Sequence, residues 1–256
     1  MSLRLDNKKI NNILVTSQGY KFSTVKWINT GYLASGTWDS EKTEIAIWRK
    51  DVSIKKSPPY LSIYAKGNLD SEIFQVDATE TLSVSACSDG YLRFHKTVVK
   101  ADVASALITS QPANFKHELG CTCAKISQHL SISGGGDGYV CAYDSELHKL
   151  VWSNKENSQS EEIRDLCFIN QNGFDFASTS SSVEIRLFDV RTNKTALLLF
   201  PLGFANVANC IAVNAYNKNV ISVGTENGNL IVIDVRNFKR PIFSVQSSGV
   251  QAILLF

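Results

Sequence analysis

Histidine and cysteine are the side chains of this chain best suited to bind a metal, but their spacing does not suit one. The chain has 256 residues, with four histidines and six cysteines. They stand at His95, His117, His129, His148, Cys87, Cys121, Cys123, Cys141, Cys167 and Cys210. There is no Cys-x-x-Cys pair and no paired histidine spacing, so we expect no metal centre. We expect His95 to be packed and hydrogen-bonded, and the cysteines to be buried free thiols.

The glycine-rich segment Gly134–Gly138 could be mistaken for a phosphate cradle. A phosphate loop needs a Lys-Ser/Thr pair and a following helix, whereas Tyr139 and an alternating apolar run follow here. We therefore predict a hairpin turn. The carboxylate pair Glu161-Glu162 lies in a polar stretch and is expected to be solvated. With no catalytic constellation, the sequence predicts a protein that is not an enzyme and has no cofactor.

One charged tripeptide occurs twice, as Asp189-Val-Arg191 and as Asp234-Val-Arg236. Each arginine could offer a bidentate fork to an acidic partner. The alternative is that each arginine pairs with an acid of its own or a neighbouring sheet. Both tripeptides are candidate protein-interaction sites.

A second candidate interaction site is the turn that contains Trp38 and Asp39, within Trp38-Asp-Ser-Glu41. An exposed tryptophan at the edge of a sheet suits a contact hot spot. The alternative is that Trp38 packs on an adjacent sheet.

The elements that must position these residues repeat along the chain about every 45 to 48 residues. Each copy has an apolar strand, a strand of small residues, a tight turn and an alternating strand that ends on a bulky residue. These bulky residues are Trp48, His95, Tyr143, Phe188 and Ile233. Asp89, Asp137 and Asn227 occupy the turns. All-strand repeats of this period predict a β-propeller.

The repeats predict an all-β fold in one domain, residues 1–256, with five complete four-stranded blades. The predicted blades cover residues 20–66, 70–110, 118–154, 160–201 and 206–246, and residues 249–256 supply the first strand of a sixth. Three explanations of the incomplete count stay open: a truncated chain, which we favour, an unusual small ring, or a partner that donates strands.

Charge and hydropathy exclude several partners. The 26 basic and 24 acidic residues give a net charge of +2, and no basic run suggests direct nucleic-acid binding. No stretch reaches the roughly 18 apolar residues that span a bilayer, and the first ten residues do not form a signal peptide. We expect no membrane insertion and a reducing compartment.

The repeats resemble degenerate WD repeats. The usual tryptophan survives as Trp48, the turn acid is kept as Asp89 and Asp137, and His117 stands where a WD repeat has its histidine. Asn227 replaces the turn acid in the fifth unit, and Tyr143 replaces the tryptophan in the third. These residues are expected to be structural positions of the blades.

The first unit resembles more specifically the opening blade of the WD-repeat nucleoporins of the nuclear pore outer ring. The resemblance rests on Lys26-Trp27, on Leu33-Ala-Ser-Gly-Thr-Trp-Asp-Ser-Glu41 and on Ile45-Ala-Ile-Trp48, and it continues more weakly to residue 256. It implies a seven-bladed ring and a non-catalytic scaffold of the Y-complex that supports nucleocytoplasmic transport. Its implied partners are helical-solenoid nucleoporins, and its implied location is the nuclear pore at the nuclear envelope.

A different function is suggested by the two Asp-Val-Arg tripeptides. Within WD repeats, Asp-x-Arg after the third strand resembles the box by which substrate receptors dock on the adaptor of cullin-4 ubiquitin ligases. This resemblance makes the cullin-4 adaptor a possible partner and a substrate receptor the alternative function.

Overall fold

The computed structural model describes residues 21–38, 42–51, 60–98, 106–155, 161–169, 173–182, 184–192, 207–237 and 240–246. In these ranges the regular secondary structure consists of strands, and they contain no helix. The strands are β1 (Phe22–Trp27), β2 (Tyr32–Thr37), β3 (Thr43–Asp51), β4 (Tyr60–Leu69), β5 (Ile73–Ala78), β6 (Ser83–Cys87), β7 (Tyr91–Val98), β8 (Ala106–Lys116), β9 (Cys121–Ile126), β10 (Leu130–Gly135), β11 (Tyr139–Asp144), β12 (Lys149–Lys155), β13 (Ile163–Ile169), β14 (Asp175–Ser180), β15 (Ile185–Asp189), β16 (Ala208–Val213), β17 (Val220–Thr225), β18 (Asn229–Asp234) and β19 (Phe243–Gln246).

The strands form five successive antiparallel units, which we call blades 1 to 5. Strands β1 to β4 make blade 1, β5 to β8 blade 2, β9 to β12 blade 3, β13 to β15 blade 4 and β16 to β19 blade 5. Blades 1 and 2 are joined into one eight-stranded sheet, because β4 and β8 pair in parallel at Ala65 and Ala106. This all-β arrangement of antiparallel blades confirms the predicted β-propeller fold class.

Parts of the predicted array lie outside the described residues. These are the outer strand expected for blade 4 at residues 196–200 and the partial blade at 249–256. The predicted limits of blade 2, residues 70–110, were wrong: its outer strand runs from Ala106 to Lys116. The outer strand of blade 1 likewise extends to Leu69 rather than ending by residue 66.

Small residues in the second strand of each blade allow the neighbouring blade to approach. A Cβ atom on Gly36 would lie 2.5 Å from Ile73 Cγ2, and one on Gly134 would overlap Ile163 and lie 2.8 Å from Cys123 Sγ. Ile73 and Ile163 each begin the innermost strand of the next blade. The glycines are therefore required by packing between blades.

The hydrophobic core consists of layers between adjacent blades. Ile45 and Ile47 of blade 1 cluster with Ile73 and Val76 of blade 2, and equivalent clusters join blades 2 and 3, 3 and 4, and 4 and 5. A single blade cannot bury both of its faces, so the stability of the array depends on contacts between neighbours.

The first strands of the five blades, β1, β5, β9, β13 and β16, are the inner strands. Together they line a central cavity of about 540 Å³. Each inner strand has a β-bulge at its second residue, where the register with the second strand shifts. The bulged residues are Ser23, Phe74, Thr122, Arg164 and Asn209. Bulges redirect side chains at the ends of strands, and here they do so at one end of the channel.

Candidate protein-interaction surfaces

Blade 3 contains a buried chain of four hydrogen-bonded side chains. His117 Nδ1 lies 3.0 Å from Asp137 Oδ1, and His117 Nε2 lies 2.8 Å from Ser133 Oγ. Ser133 Oγ lies 3.1 Å from the Tyr143 hydroxyl. Burial lowers the pKa of His117, although the Asp137 carboxylate opposes this shift. The neutral imidazole of His117 therefore links Asp137 in the turn to Ser133 of β10, which is a structural role.

Blades 1 and 2 have only parts of this series of hydrogen-bonded side chains. In blade 1 the Trp48 indole donates to Ser35 Oγ at 2.7 Å. In blade 2 the buried His95 lies 2.7 Å from both Ser85 Oγ and Ser110 Oγ. Burial, helped by the charge of Arg93, lowers the pKa of His95 to about 3. His95 is thus packed and hydrogen-bonded, as its sequence position predicted.

The remaining predicted turn positions lie at the surface ends of their blades. Asp89 accepts the backbone N–H of Tyr91 at 3.2 Å and forms an ion pair with Arg93. Asn227 is exposed in the turn before β18. The structure therefore places Asp89 next to an arginine, whereas the equivalent Asp137 meets a histidine.

Acidic and amide side chains on the inner strands fasten blade 2 to blade 3 and blade 4 to blade 5. Gln75 Oε1 accepts the N–H of Ala124 at 2.9 Å, and Asp77 Oδ2 accepts the N–H of Ile126 at 3.0 Å. Asp165 Oδ2 accepts the N–H of Ile211 at 3.0 Å. Each bond gives a backbone donor of one inner strand an acceptor on the preceding blade. We call Gln75, Asp77 and Asp165 the clasp residues.

Two of the lysines that line the channel pair with its carboxylates. Lys26 Nζ lies 3.4 Å from Asp77, and Lys125 Nζ lies 3.5 Å from Asp165. Burial disfavours the charge on Lys125, but the carboxylates of Asp165 and Asp77 outweigh it and raise its pKa. Each of these two lysines is thus paired with a carboxylate of the cavity lining, which suits a fastening role, and Lys218 is a third lysine of that lining.

The cysteines and acids of the described ranges do not form a metal or thiolate centre. No group of three or more His, Cys, Asp or Glu residues there is placed to hold a metal ion. All six cysteines are free thiols, and only Cys210 is not fully buried. Burial, assisted by the charge of Asp165, raises the pKa of Cys167 to about 12. Such thiols stay protonated at neutral pH.

The two Asp-Val-Arg tripeptides adopt the same conformation on successive blades. Arg191 donates Nε and Nη2 to Asp189 at 2.8 and 2.9 Å, and Arg236 donates the same atoms to Asp234 at 2.9 and 2.7 Å. The arginine hydrogen bond lowers the pKa of Asp234 to about 2 and also lowers that of Asp189. Arg191 Nη2 also reaches Asp175 at 3.2 Å. Each arginine is held by acids of its own blade, yet more than half of its side chain is exposed.

Two tryptophans of blade 1, Trp27 and Trp38, lie at the surface, whereas Trp48 is buried. Trp38 is about half exposed, and its backbone N–H donates to the carbonyl of Lys21 at 3.0 Å. Trp27, at the end of β1, is exposed to the same extent. Asp39, the other predicted contact residue of this turn, lies outside the described residues.

The sequence prediction missed the serines of the buried chains and the clasp residues. The serines of blades 2 and 3 had a visible signal, because Ser85 and Ser133 each stand ten residues before the bulky residue of their blade. The clasp residues had none, since they are one glutamine, Gln75, and two aspartates, Asp77 and Asp165, and their amide partners belong to other blades.

Five strand units around a channel and the Asp137–His117–Ser133–Tyr143 chain define a WD-repeat-like β-propeller. No family model matches the chain. It is similar to a Candida albicans protein described as "Histone acetyltransferase type B subunit 2", with 28% identity over 107 residues. The match covers 42% of this chain and about a quarter, 27%, of the length of that relative. Within the described ranges, no helix has the length and apolar character needed to cross a membrane.

Proposed function

We propose that this chain is a non-catalytic scaffold subunit of the nuclear pore outer ring, where it supports nucleocytoplasmic transport. The observation that carries the proposal is the exposure of Trp27 and Trp38 on blade 1. Both lie in the segment that resembles the opening blade of the WD-repeat nucleoporins. Tryptophan is one of the side chains enriched at interface hot spots.

The hydrogen bonds of the polar side chains support a scaffold role. The histidines His95 and His117 and the acids Asp77 and Asp165 are occupied by contacts within and between blades. The Candida albicans relative is itself described as a subunit of a larger enzyme, which favours a role in an assembly. In this proposal the partners are helical-solenoid nucleoporins and the location is the nuclear pore.

Affinity purification tests the proposal. The tagged chain, isolated gently from cells, should carry helical-solenoid nucleoporins that are identified by mass spectrometry. The double variant Trp27→Ser/Trp38→Ser should lose them, whereas Tyr216→Ser, which removes a fully exposed aromatic ring of blade 5, should retain them. Purification of the wild-type chain without any nuclear pore component would refute the proposal.

A second candidate function is that of a substrate receptor for a cullin-4 ligase. The observation that favours it is the matched pair of exposed arginine forks, each held in place by its own aspartate. A pre-oriented guanidinium loses less entropy when it binds an acidic partner. Arg191→Glu/Arg236→Glu should abolish binding of the purified adaptor, and Arg240→Glu, an exposed control on blade 5, should leave it unchanged. Equal binding by the first variant and the wild type would exclude this function.

A further inference from the structure

A cavity separate from the channel lies between blades 1 and 2, at the end of the molecule where the inner strands end. Its volume is about 590 Å³, which is within the range of sites that bind small molecules. The turn before β2 and the turn between β5 and β6 form its mouth, and the strands behind these turns form its walls. We call this cavity the interblade cleft.

The interblade cleft is closed on its outer and inner sides. On the outer side, β4 pairs in parallel with β8 at Ala65 and Ala106. On the inner side, Lys26 of β1 forms an ion pair with Asp77 of β5 at 3.4 Å. An extended peptide therefore has no through path between the two blades, and the shape suits a compact molecule that enters from the side of the turns.

The lining of the interblade cleft is largely aromatic and aliphatic. The rings of Tyr32 and Tyr64 meet edge to face, with their centroids 5.4 Å apart. The side chains of Ile28, Ile47 and Leu82 line the cleft beside them. Walls of this composition pack well on a flat apolar molecule.

The equivalent place between blades 2 and 3 is occupied by side chains of the protein itself. Phe94 stands at the repeat position of Ile47, and the His148 ring stacks on it with the two centroids 4.1 Å apart. Phe94 is accordingly 1% exposed. The larger ring and its stacking partner take up space there that Ile47 leaves open between blades 1 and 2.

Two hydroxyl positions that are hydrogen-bonded in blade 3 are free in the interblade cleft. Ser131 Oγ lies 2.9 Å from Ser145 Oγ in blade 3. The same repeat positions in blade 2 are Ser83 and Thr97, and both line the cleft. Among the described residues neither hydroxyl has a hydrogen-bond partner, although Ser83 is only 5% exposed. Each hydroxyl can therefore donate to or accept from a polar group of a ligand.

The charges of the interblade cleft lie at its rim and have both signs. Glu80 and Lys96 line the cleft and are exposed, and the guanidinium of Arg49 lies over the Tyr64 ring, 5.8 Å from its centroid. His95 also lines the cleft, but burial lowers its pKa to about 3, so its ring is neutral at physiological pH. A charged ligand would leave water without a matching charge behind the rim, which favours a neutral one.

We propose that the interblade cleft binds a neutral small molecule with a flat, mostly apolar body and one hydrogen-bonding group. The body packs between Tyr64 of blade 1 and Leu82 of blade 2, and the polar group bonds the hydroxyl of Ser83 or Thr97. Because the ligand contacts both blades, its binding stabilises the folded array. This site does not depend on the proposed scaffold function.

Fluorescence titration with 1-aminoanthracene tests the site, because this probe is a flat neutral molecule with one amino group. The wild-type chain should bind it saturably, and the bound probe should raise the thermal midpoint of unfolding. Ser83→Ala, which removes one hydroxyl, should weaken binding about fivefold. The anionic probe 1-anthracenesulfonate should bind at least about tenfold more weakly than the neutral probe.

Two variants obstruct the interblade cleft, and one matched control leaves it open. Ser83→Leu places a bulky side chain inside the cleft, and Thr81→Trp places one at its mouth, where Thr81 is exposed. Each should weaken binding of the neutral probe at least about tenfold. His129→Trp makes the same kind of change at the equivalent turn position of blade 3, where His129 is also exposed, and should bind like the wild type.

The thermal midpoint of each variant is measured first without the probe, and either obstructing variant decides the test if the other does not fold. The proposal is overturned if the wild type does not bind the neutral probe saturably, if a folded obstructing variant binds it as tightly as the wild type, or if His129→Trp loses binding to the same extent. Equal binding of the anionic probe would overturn the assignment of a neutral ligand, and unchanged binding by Ser83→Ala would overturn the role of that hydroxyl.

Discussion

The clasp residue Asp165 provides the most direct test of how this propeller is held together. Its Oδ2 accepts the N–H of Ile211 at 3.0 Å, and its Oδ1 accepts the N–H of Leu166 at 2.9 Å and the Gln75 side-chain amide at 3.3 Å. Lys125 Nζ lies 3.5 Å away. One carboxylate of blade 4 therefore serves donors from blades 2, 3, 4 and 5.

Replacement of Asp165 by alanine leaves these donors without their acceptor. Leu166 and Ile211 are buried, and a buried donor that loses its partner costs about 1–3 kcal/mol. Lys125 also loses its main counter-charge in a poorly solvated channel. We expect Asp165→Ala to lower the free energy of unfolding by about 3–5 kcal/mol. Asp165→Asn keeps one carbonyl acceptor and should lose about half as much.

Urea unfolding followed by tryptophan fluorescence measures this loss, with Asp189→Ala as the control. Asp189 also pairs with an arginine, but that pair is exposed, so its removal should cost about 1 kcal/mol or less. The reasoning fails if Asp165→Ala unfolds at the urea concentration of the wild type, or if it is no less stable than Asp189→Ala.

Three further outcomes are expected. Gly134→Ala should destabilise the fold by about 1–3 kcal/mol in the same urea assay, because its Cβ would overlap Ile163, whereas Gly31→Ala, with its nearest atom at 3.6 Å, should not. Stability should fall as the pH drops from about 6.5 towards 3, because the folded pKa of His95 is lowered to about 3 from 6.5, so the unfolded chain binds the proton first. The slope contributed by His95 is at most about 1.4 kcal/mol per pH unit, and His95→Gln, which cannot take up that proton, should show a shallower pH profile in thermal melts. A thiol reagent should modify at most Cys210 in the native protein and all six cysteines after unfolding, since the other five are buried; rapid native reaction of several thiols would contradict this packing.

The repeat allowed much of the fold to be predicted. The strand that precedes each tight turn and the strand that follows it were located correctly, for example β10 and β11 around Asp137, because both alternate with the period of a strand and flank a recognisable turn. The outer strand of blade 2 was misplaced. It contains Pro112, which is tolerated because only Ala106 and Leu107 of this strand pair with β4, so the strand has no ladder on that side at the proline.

The candidate sites were predicted less completely. His117 and Asp137 could be singled out because each occupies a fixed place in the repeat, and the structure adds that they bond to each other and to Ser133. The tripeptides at Asp189 and Asp234 could be recognised because the same three residues, Asp-Val-Arg, occur in both.

The number of described units, the order of strands within a blade and the positions of the turns could all be predicted from local sequence. They depend on the alternation of side chains and on residues such as Gly138 and Gly228, whose φ angles are positive. The tertiary structure decided which residues join the blades. Gln75 meets Ala124, and Asp165 meets Ile211, across 49 and 46 residues of sequence. Such partners share no local pattern, since it is the curvature of the array around the channel that brings them together.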